Sequence, residues 1–504
     1  MAARPLLRAD VPDHLWQGYD FGPGPRVSDR LNQGPFPVEQ DQGWRALATT
    51  TASDKPARNF GLGLCGYTWE ESGPSLAARA GRQKLEDHVE RMASLPFVDV
   101  LYIRCDWRDV QSAPGKLDLN PVWKLTLDAG KSHGKRVAFR VMLSNTAFQP
   151  KRLAMPDFLN GKVPVVPIGR AGDLGGNVRY REPQYHHPEF QRAFRELNEL
   201  LAAEFDGHPQ IEFVDLMMYG FWGEGHTSDL PSPLPDSLTA ERTMLGMTRL
   251  QLEAWKKTPL AVNTQPDISR VGNREVQDAC VREGCWLRSD SILNIEEPLQ
   301  IEELANRPPW LAVVMEDGEH RDYNVDRLPR DAAGINAREN AMLHVLDLGA
   351  NYWSLWTESE NLQRYHERYP RGFTTLQQRM GYRLRPAWIW QRKREGANEV
   401  IAGIANAGVA GVPGILRLTL ESRDGKFRMT GGLDAGHPFG GRVREASFMV
   451  PGDIAVQPFR LRAEIEVRGV RRPVQWACEQ PLEADGSFVF ALQAHNAPGW
   501  RKGV

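Results

Sequence analysis

Between Phe60 and Trp356 strand-like segments alternate with helix-like ones, and no other feature of the sequence restricts the fold as much. Runs rich in Val, Ile, Leu, Met or aromatic residues predict strands at Phe60–Tyr67, Val98–Arg104, Arg136–Leu143, Ile211–Tyr219, Pro259–Thr264, Cys285–Leu293, Trp310–Met315 and Ala350–Trp356. Helical patterns fall between them at Ser75–Ser94, Leu119–His133, Pro188–Phe205, Ala240–Lys257, Ser269–Glu283, Pro298–Asn306 and Ala333–Leu348. A strand followed by a helix returns the chain to start a parallel neighbour, and eight such units close on themselves. The expected fold is a (β/α)8 TIM barrel, and near-continuous apolar strands fit burial on both faces.

Such a barrel takes about 250 residues, and the chain has 504. Residues 1–57 are rich in Pro, Gly, Asp and Arg without a sustained period, and are expected to be an irregular segment packing on the barrel. The barrel is placed at 58–382. Beyond it, short runs at Glu399–Ile404, Gly414–Leu420, Lys426–Met429, Ala446–Val450, Phe459–Val467, Val474–Cys478 and Ser487–Leu492 are separated by Gly, Asp and Pro turns. That spacing predicts an antiparallel β-sandwich accessory domain over 383–504.

Net charge is −2, from 62 basic and 64 acidic residues with no long Lys/Arg block, which argues against nucleic acid or an anionic membrane as partner. The five cysteines have no C-x-x-C spacing, so neither a zinc site nor a disulfide framework is expected. His186-His187 and His226 lack metal-motif spacing, and Lys116, Lys131 and Lys135 read as solvated charges. Gly61-Leu-Gly63-Leu-Cys-Gly66 has the glycine spacing of the dinucleotide fingerprint, but no matching acidic residue ends a following strand, so it is rejected as one. No cofactor and no metal are expected. The first ten residues lack the apolar stretch of a secretory signal, and no run approaches the roughly eighteen apolar residues of a membrane span. The chain therefore reads as soluble. Its compartment is left open between cytoplasmic and secreted or periplasmic with the signal removed, and a homo-oligomer is left open.

In a parallel barrel the chemistry sits at the C-terminal ends of the strands. Those ends deliver Tyr67 and Trp69; Arg104, Asp106 and Trp107; Asn145; Trp222, Glu224 and His226; Asn263 and Gln265; Arg288 and Asp290; Glu316, Asp317 and His320; then Trp353, Trp356 and Glu358. A ring of hydrogen-bonding and aromatic groups suits a polyhydroxylated ligand, although each Trp is equally able to be core filler. Fourth and seventh strands stand on opposite sides of the ring, so Glu224 and Glu316 can reach across the mouth. Two facing carboxylates are the minimal machinery for breaking a glycosidic bond. Asp317 and Glu319 compete with Glu316 for the second role.

Carboxylates ending the fourth and seventh strands resemble the signature of clan A glycoside hydrolases. Tyr219-Gly-Phe-Trp-Gly-Glu-Gly-His226 is similar to the fourth-strand segment of a bacterial β-galactosidase-like branch. Asp106-Trp107-Arg-Asp-Val-Gln-Ser-Ala-Pro-Gly-Lys-Leu-Asp118-Leu-Asn120 and Gly381-Tyr382-Arg383-Leu384 also resemble segments of that clan and branch. The resemblance implies a retaining, exo-acting hydrolase of β-linked sugars in an oligo- or polysaccharide, galactosides or related glycans, with Glu224 as acid/base and Glu316 as nucleophile. It departs from the clan at Gly223, where many members carry an Asn that binds the sugar 2-hydroxyl; Asn145 or Asn263 is the available substitute. The alternative this leaves open is a carbohydrate-binding barrel that has lost catalysis.

Overall fold

The computed structural model describes residues 34–74, 83–149, 151–169, 180–225, 234–264, 273–293, 298–318, 332, 335–433, 443–454 and 456–494. Eight strands, Gly63–Trp69, Val100–Asp106, Arg136–Met142, Ile211–Asp215, Leu260–Asn263, Trp286–Ser289, Val313–Glu316 and Tyr352–Leu355, form a closed barrel in sequence order. Each pairs in parallel with both neighbours. They are called barrel strands 1 to 8 below. Helices between them bury one face: Phe190, Phe194, Leu197 and Leu201 of Pro188–Phe205 join the shell outside the strands. His187 begins that helix by accepting from the Glu189 amide at 3.3 Å, which is a capping role.

Three expectations change. Barrel strand 4 ends at Asp215 rather than Tyr219, because the chain turns back and the Met218 amide bonds to the Gly223 carbonyl at 3.3 Å. Two further helices, Ser359–Arg368 and Pro370–Arg379, complete the last unit. Their composition is too polar to announce them, yet Leu362, Tyr365, Phe373 and Leu376 are buried at helical spacing. Lys135 is buried, not solvated: its ammonium donates to the Leu95 and Val98 carbonyls, and burial lowers it to about 8.

Beyond the barrel lie two antiparallel sheets. One has Arg45–Thr49 at its edge, then Leu384–Arg394, Ala397–Asn406 and Val443–Pro451. The other orders Arg428–Leu433, Ile415–Ser422, Pro458–Val467 and Val470–Val474, with Phe488–Ala491 also on Pro458–Val467. Alternate residues Phe459, Leu461, Ala463, Ile465 and Val467 are buried, and they share one core with Ile389, Val400, Ala402 and Phe448 of the first sheet. That core runs on into the barrel floor through Tyr382, whose hydroxyl donates to the Phe60 carbonyl at 2.5 Å. Among the described residues no helix is long and apolar enough to cross a membrane.

Candidate active site

Side chains along a strand alternate in direction, so each barrel strand sends every second residue inward. The lower interior is aromatic. Phe213 lies 5.2 Å from Tyr352, 5.8 Å from Trp286 and 6.4 Å from Tyr102 between ring centroids, and this cluster plugs the barrel. Toward the C-terminal ends of the strands the next inward positions are ionic: Arg104, Arg140, Asp215 and Arg288. Asp215 accepts from Arg140 at 3.0 Å and from the Tyr102 hydroxyl, and forms an ion pair with Arg288 at 3.1 Å. Charges this deep are tolerable only in such a mutually paired set, and deleting one member typically costs about 3–5 kcal/mol.

Glu224 and Glu316 meet above this layer, each 1% exposed. Arg104 donates to Glu224 Oε1 at 2.5 Å and to Glu316 Oε1 at 2.9 Å. Glu224 Oε1 also accepts from Arg140, while Glu316 Oε2 accepts from Arg288 at 2.5 Å and Oε1 from the Tyr67 hydroxyl at 2.7 Å. Burial is the strongest single influence on Glu316 and pushes its carboxyl upward. Arg288 and Arg104 outweigh it, and the group lies below the ordinary carboxylate range.

Glu224 arrives on a tight turn. Its amide bonds to the Phe221 carbonyl at 3.1 Å, and Trp222 and Gly223 both hold left-handed backbone, with φ of 58° and 72°. A side chain at Gly223 would place its Cβ 3.3 Å from Arg140 Cδ. Glycine here therefore follows from both the backbone and the close approach of Arg140.

The structure gathers most of the predicted ring. Asn263 donates to the Glu224 carbonyl at 3.1 Å. Asn145 donates to Asp106 at 2.7 Å and to the Glu71 carbonyl at 2.8 Å, and Arg152 holds the other Asp106 oxygen at 2.9 Å. Burial, then the neighbouring Asp109, pushes the Asp106 carboxyl up to about 6 against those bonds. Trp222 is half-buried beside Phe221, with centroids 5.7 Å apart, and Trp356 donates to Glu71 at 3.0 Å. Trp353 points the other way, into the apolar shell between strands and helices. Asp317 likewise faces outward, paired with Arg338. His226, Glu319 and His320 lie outside the described residues.

Sequence reasoning missed Arg140, Asp215 and Glu71. Burial raises the Glu71 carboxyl, Arg104 opposes the rise, and the Glu224 and Glu316 charges add to it. Parity along barrel strand 3, with Ala138 and Arg140 inward, is the signal that would have found Arg140.

Among the described residues, the carboxylates of Glu224, Asp290 and Glu316 form the one group whose oxygens, all within 4.8 Å of one another, could hold a cation. Arg104, Arg140 and Arg288 already neutralise Glu224 and Glu316 there. A divalent ion would have to displace these charge-assisted bonds, so the donor set fits guanidinium better than metal.

No family model matches the sequence, and neither does any curated protein. Solved structures that it resembles include an exo-β-1,4-mannosidase from Opitutaceae bacterium strain TAV5, at 12% identity and a TM-score of 0.34, over 58% of this chain and 51% of that one. Endo-glycoceramidase II from Rhodococcus sp. matches at 12% identity and 0.37, over 80% and 100% of the two chains. A β-galactosidase from Halorubrum lacusprofundi matches at 12% and 0.39, over 63% and 57%. Likeness at this level decides nothing about chemistry, and the barrel stands on its own strand pairing.

Proposed function

We propose that the chain is a retaining glycoside hydrolase in which Glu316 is the nucleophile and Glu224 the acid/base. The observation that carries this reading is the approach of the two carboxylates, within 4.8 Å between oxygens, at the mouth of a closed barrel. Retention needs carboxyl groups about 5–5.5 Å apart, whereas inversion needs about 6.5–9.5 Å to admit a water. Arg288, Arg104 and Tyr67 favour an ionised Glu316, the form a nucleophile requires. Glu316 then bonds to the anomeric carbon as the glycosidic C–O bond breaks and Glu224 protonates the departing oxygen. Water deprotonated by Glu224 attacks the glycosyl-enzyme and releases Glu316. Exo action on β-linked sugars is what the resemblance of the segment around Glu224 implies. Galactosides or related glycans are the class implied by the segment around Glu224.

A second reading, a carbohydrate-binding barrel without turnover, has one specific observation in its favour. Two guanidinium groups converge on Glu224 Oε1, and a general acid must carry a proton when the sugar binds. A panel of aryl glycosides and natural β-linked oligosaccharides separates the two. The wild type is expected to cleave a member of each set, and Glu316→Ala neither. Glu224→Ala is expected to spare activated aryl glycosides while losing natural ones. Wild-type protein that binds glycans but cleaves none would overturn the first reading in favour of the second.

A further inference from the structure

The turn that carries Glu224 contains Trp222 at a φ of 58°, a conformation costing about 1–3 kcal/mol that persists only when its surroundings over-determine it. An insertion between barrel strand 3 and the helix Pro188–Phe205 provides those surroundings. It holds a two-stranded hairpin, Val165–Gly169 paired with Tyr180–Pro183. Residues two apart on the second strand share a face. Tyr180 packs edge-on against Phe221 at 5.4 Å, with Ile168 in the same cluster. Glu182, 2% exposed, receives the Ser144 hydroxyl on Oε1 and the Tyr185 hydroxyl on Oε2. Both of these partners hold the turn by its backbone. The Ser144 carbonyl accepts from the Trp222 amide at 2.9 Å, and the Tyr185 oxygen accepts from the Gly220 amide at 3.2 Å.

We propose that Glu182 is a positioning residue: through Ser144 and Tyr185 it fixes the backbone anchors, Trp222 and Gly220, of the turn that presents Glu224. The role in turnover rests on the glycosidase reading; the brace itself does not. While Glu182 is ionised both hydroxyls donate to it, and the Tyr185 oxygen keeps a lone pair for the Gly220 amide. A proton on Glu182 turns one of its oxygens into a hydroxyl, a much poorer acceptor, and so weakens or reverses the bond that oxygen receives. The groups that face the carboxyl are Ser144, Gln149 and Tyr185, all neutral, and burial raises it to about 7 against their hydrogen bonds. Tyr185 is itself pushed far above its ordinary value, first by burial and then by Glu182, so it stays protonated. The brace should therefore tighten as pH rises through neutrality.

Hydrogen–deuterium exchange of the segment 217–225, corrected for intrinsic rates, tests this in the full chain. Glu182→Gln and Tyr185→Phe are each expected to speed exchange there by about tenfold or more without spreading through the barrel. The wild type is expected to exchange faster below pH 7 than above it, with that transition missing in Glu182→Gln. On a cleaved glycoside, kcat should fall by about ten- to a hundredfold with KM nearly unchanged, and the double variant should be no worse than either single one. Should Glu182→Gln fail to fold, Tyr185→Phe decides alone. Unchanged exchange at 217–225, or acceleration across all barrel strands alike, overturns the proposal. Local acceleration in a protein that cleaves no glycoside would keep the brace and refute the glycosidase reading.

Discussion

Glu224 and Glu316 share one guanidinium: Arg104 sits between them, 2.5 Å from the first and 2.9 Å from the second. Arg104 belongs to the ionic layer beneath both carboxylates and offsets their mutual repulsion. Arg104→Gln removes one of the three cations, with Arg288 and Arg140, that lower the Glu316 carboxyl. A carboxyl lowered on folding adds stability above its unfolded value and loses it as pH falls through the folded one. The variant raises the folded value, so the acid limb of its kcat/KM profile is expected to move to higher pH. Its unfolding free energy at neutral pH should be lower than the wild type's by the scale of a broken buried ion set, about 3–5 kcal/mol, and its melting temperature lower with it.

Gly223→Asn installs the residue many clan A enzymes carry before the acid. Here it is expected to harm, since the backbone is left-handed and the new Cβ would crowd Arg140. Turnover and melting temperature should both fall. A more active variant would mean that Arg140 yields and that the glycine is incidental.

Asp106 gives a pH-dependent stability of the opposite sign to that of Glu316. Its folded value of about 6 lies above the ordinary 3.8, so the folded chain binds a proton the unfolded one releases. Stability from this group is present below about pH 4 and is lost as pH rises to about 6, by at most about 3 kcal/mol. Asp106→Asn should remove this slope, so that denaturation midpoints of wild type and variant, compared from about pH 4 to 7, diverge in the variant's favour as pH rises.

Much of the barrel was legible because apolar runs and helical periods report burial directly, and Glu316 could be placed because it ends such a run. Glu224 was expected at the tip of a strand running to Tyr219; the strand ends at Asp215, and a turn with Gly220, Gly223 and Gly225 in left-handed backbone brings Glu224 to the mouth instead. The ionic layer was not legible. An Arg inside an apolar strand reads as a boundary or an edge until parity shows that it points inward, as Arg140 does. The same parity separates Ser354, which donates to Tyr67 at 3.0 Å inside the barrel, from Trp353, which faces the outer shell. Glu182 lies in an insertion with no period, and only tertiary contacts show what it touches.

Covalent trapping tests the central claim most directly. An activated 2-fluoro glycoside of whichever sugar the wild type cleaves should inactivate it with one sugar bound per chain. Peptide mapping should then place the ester on Glu316, with the label absent from Glu316→Ala. A sugar ester on Glu224, Asp317 or Glu319 would contradict the assignment of the nucleophile, and turnover with inversion and no covalent adduct would contradict the retaining mechanism.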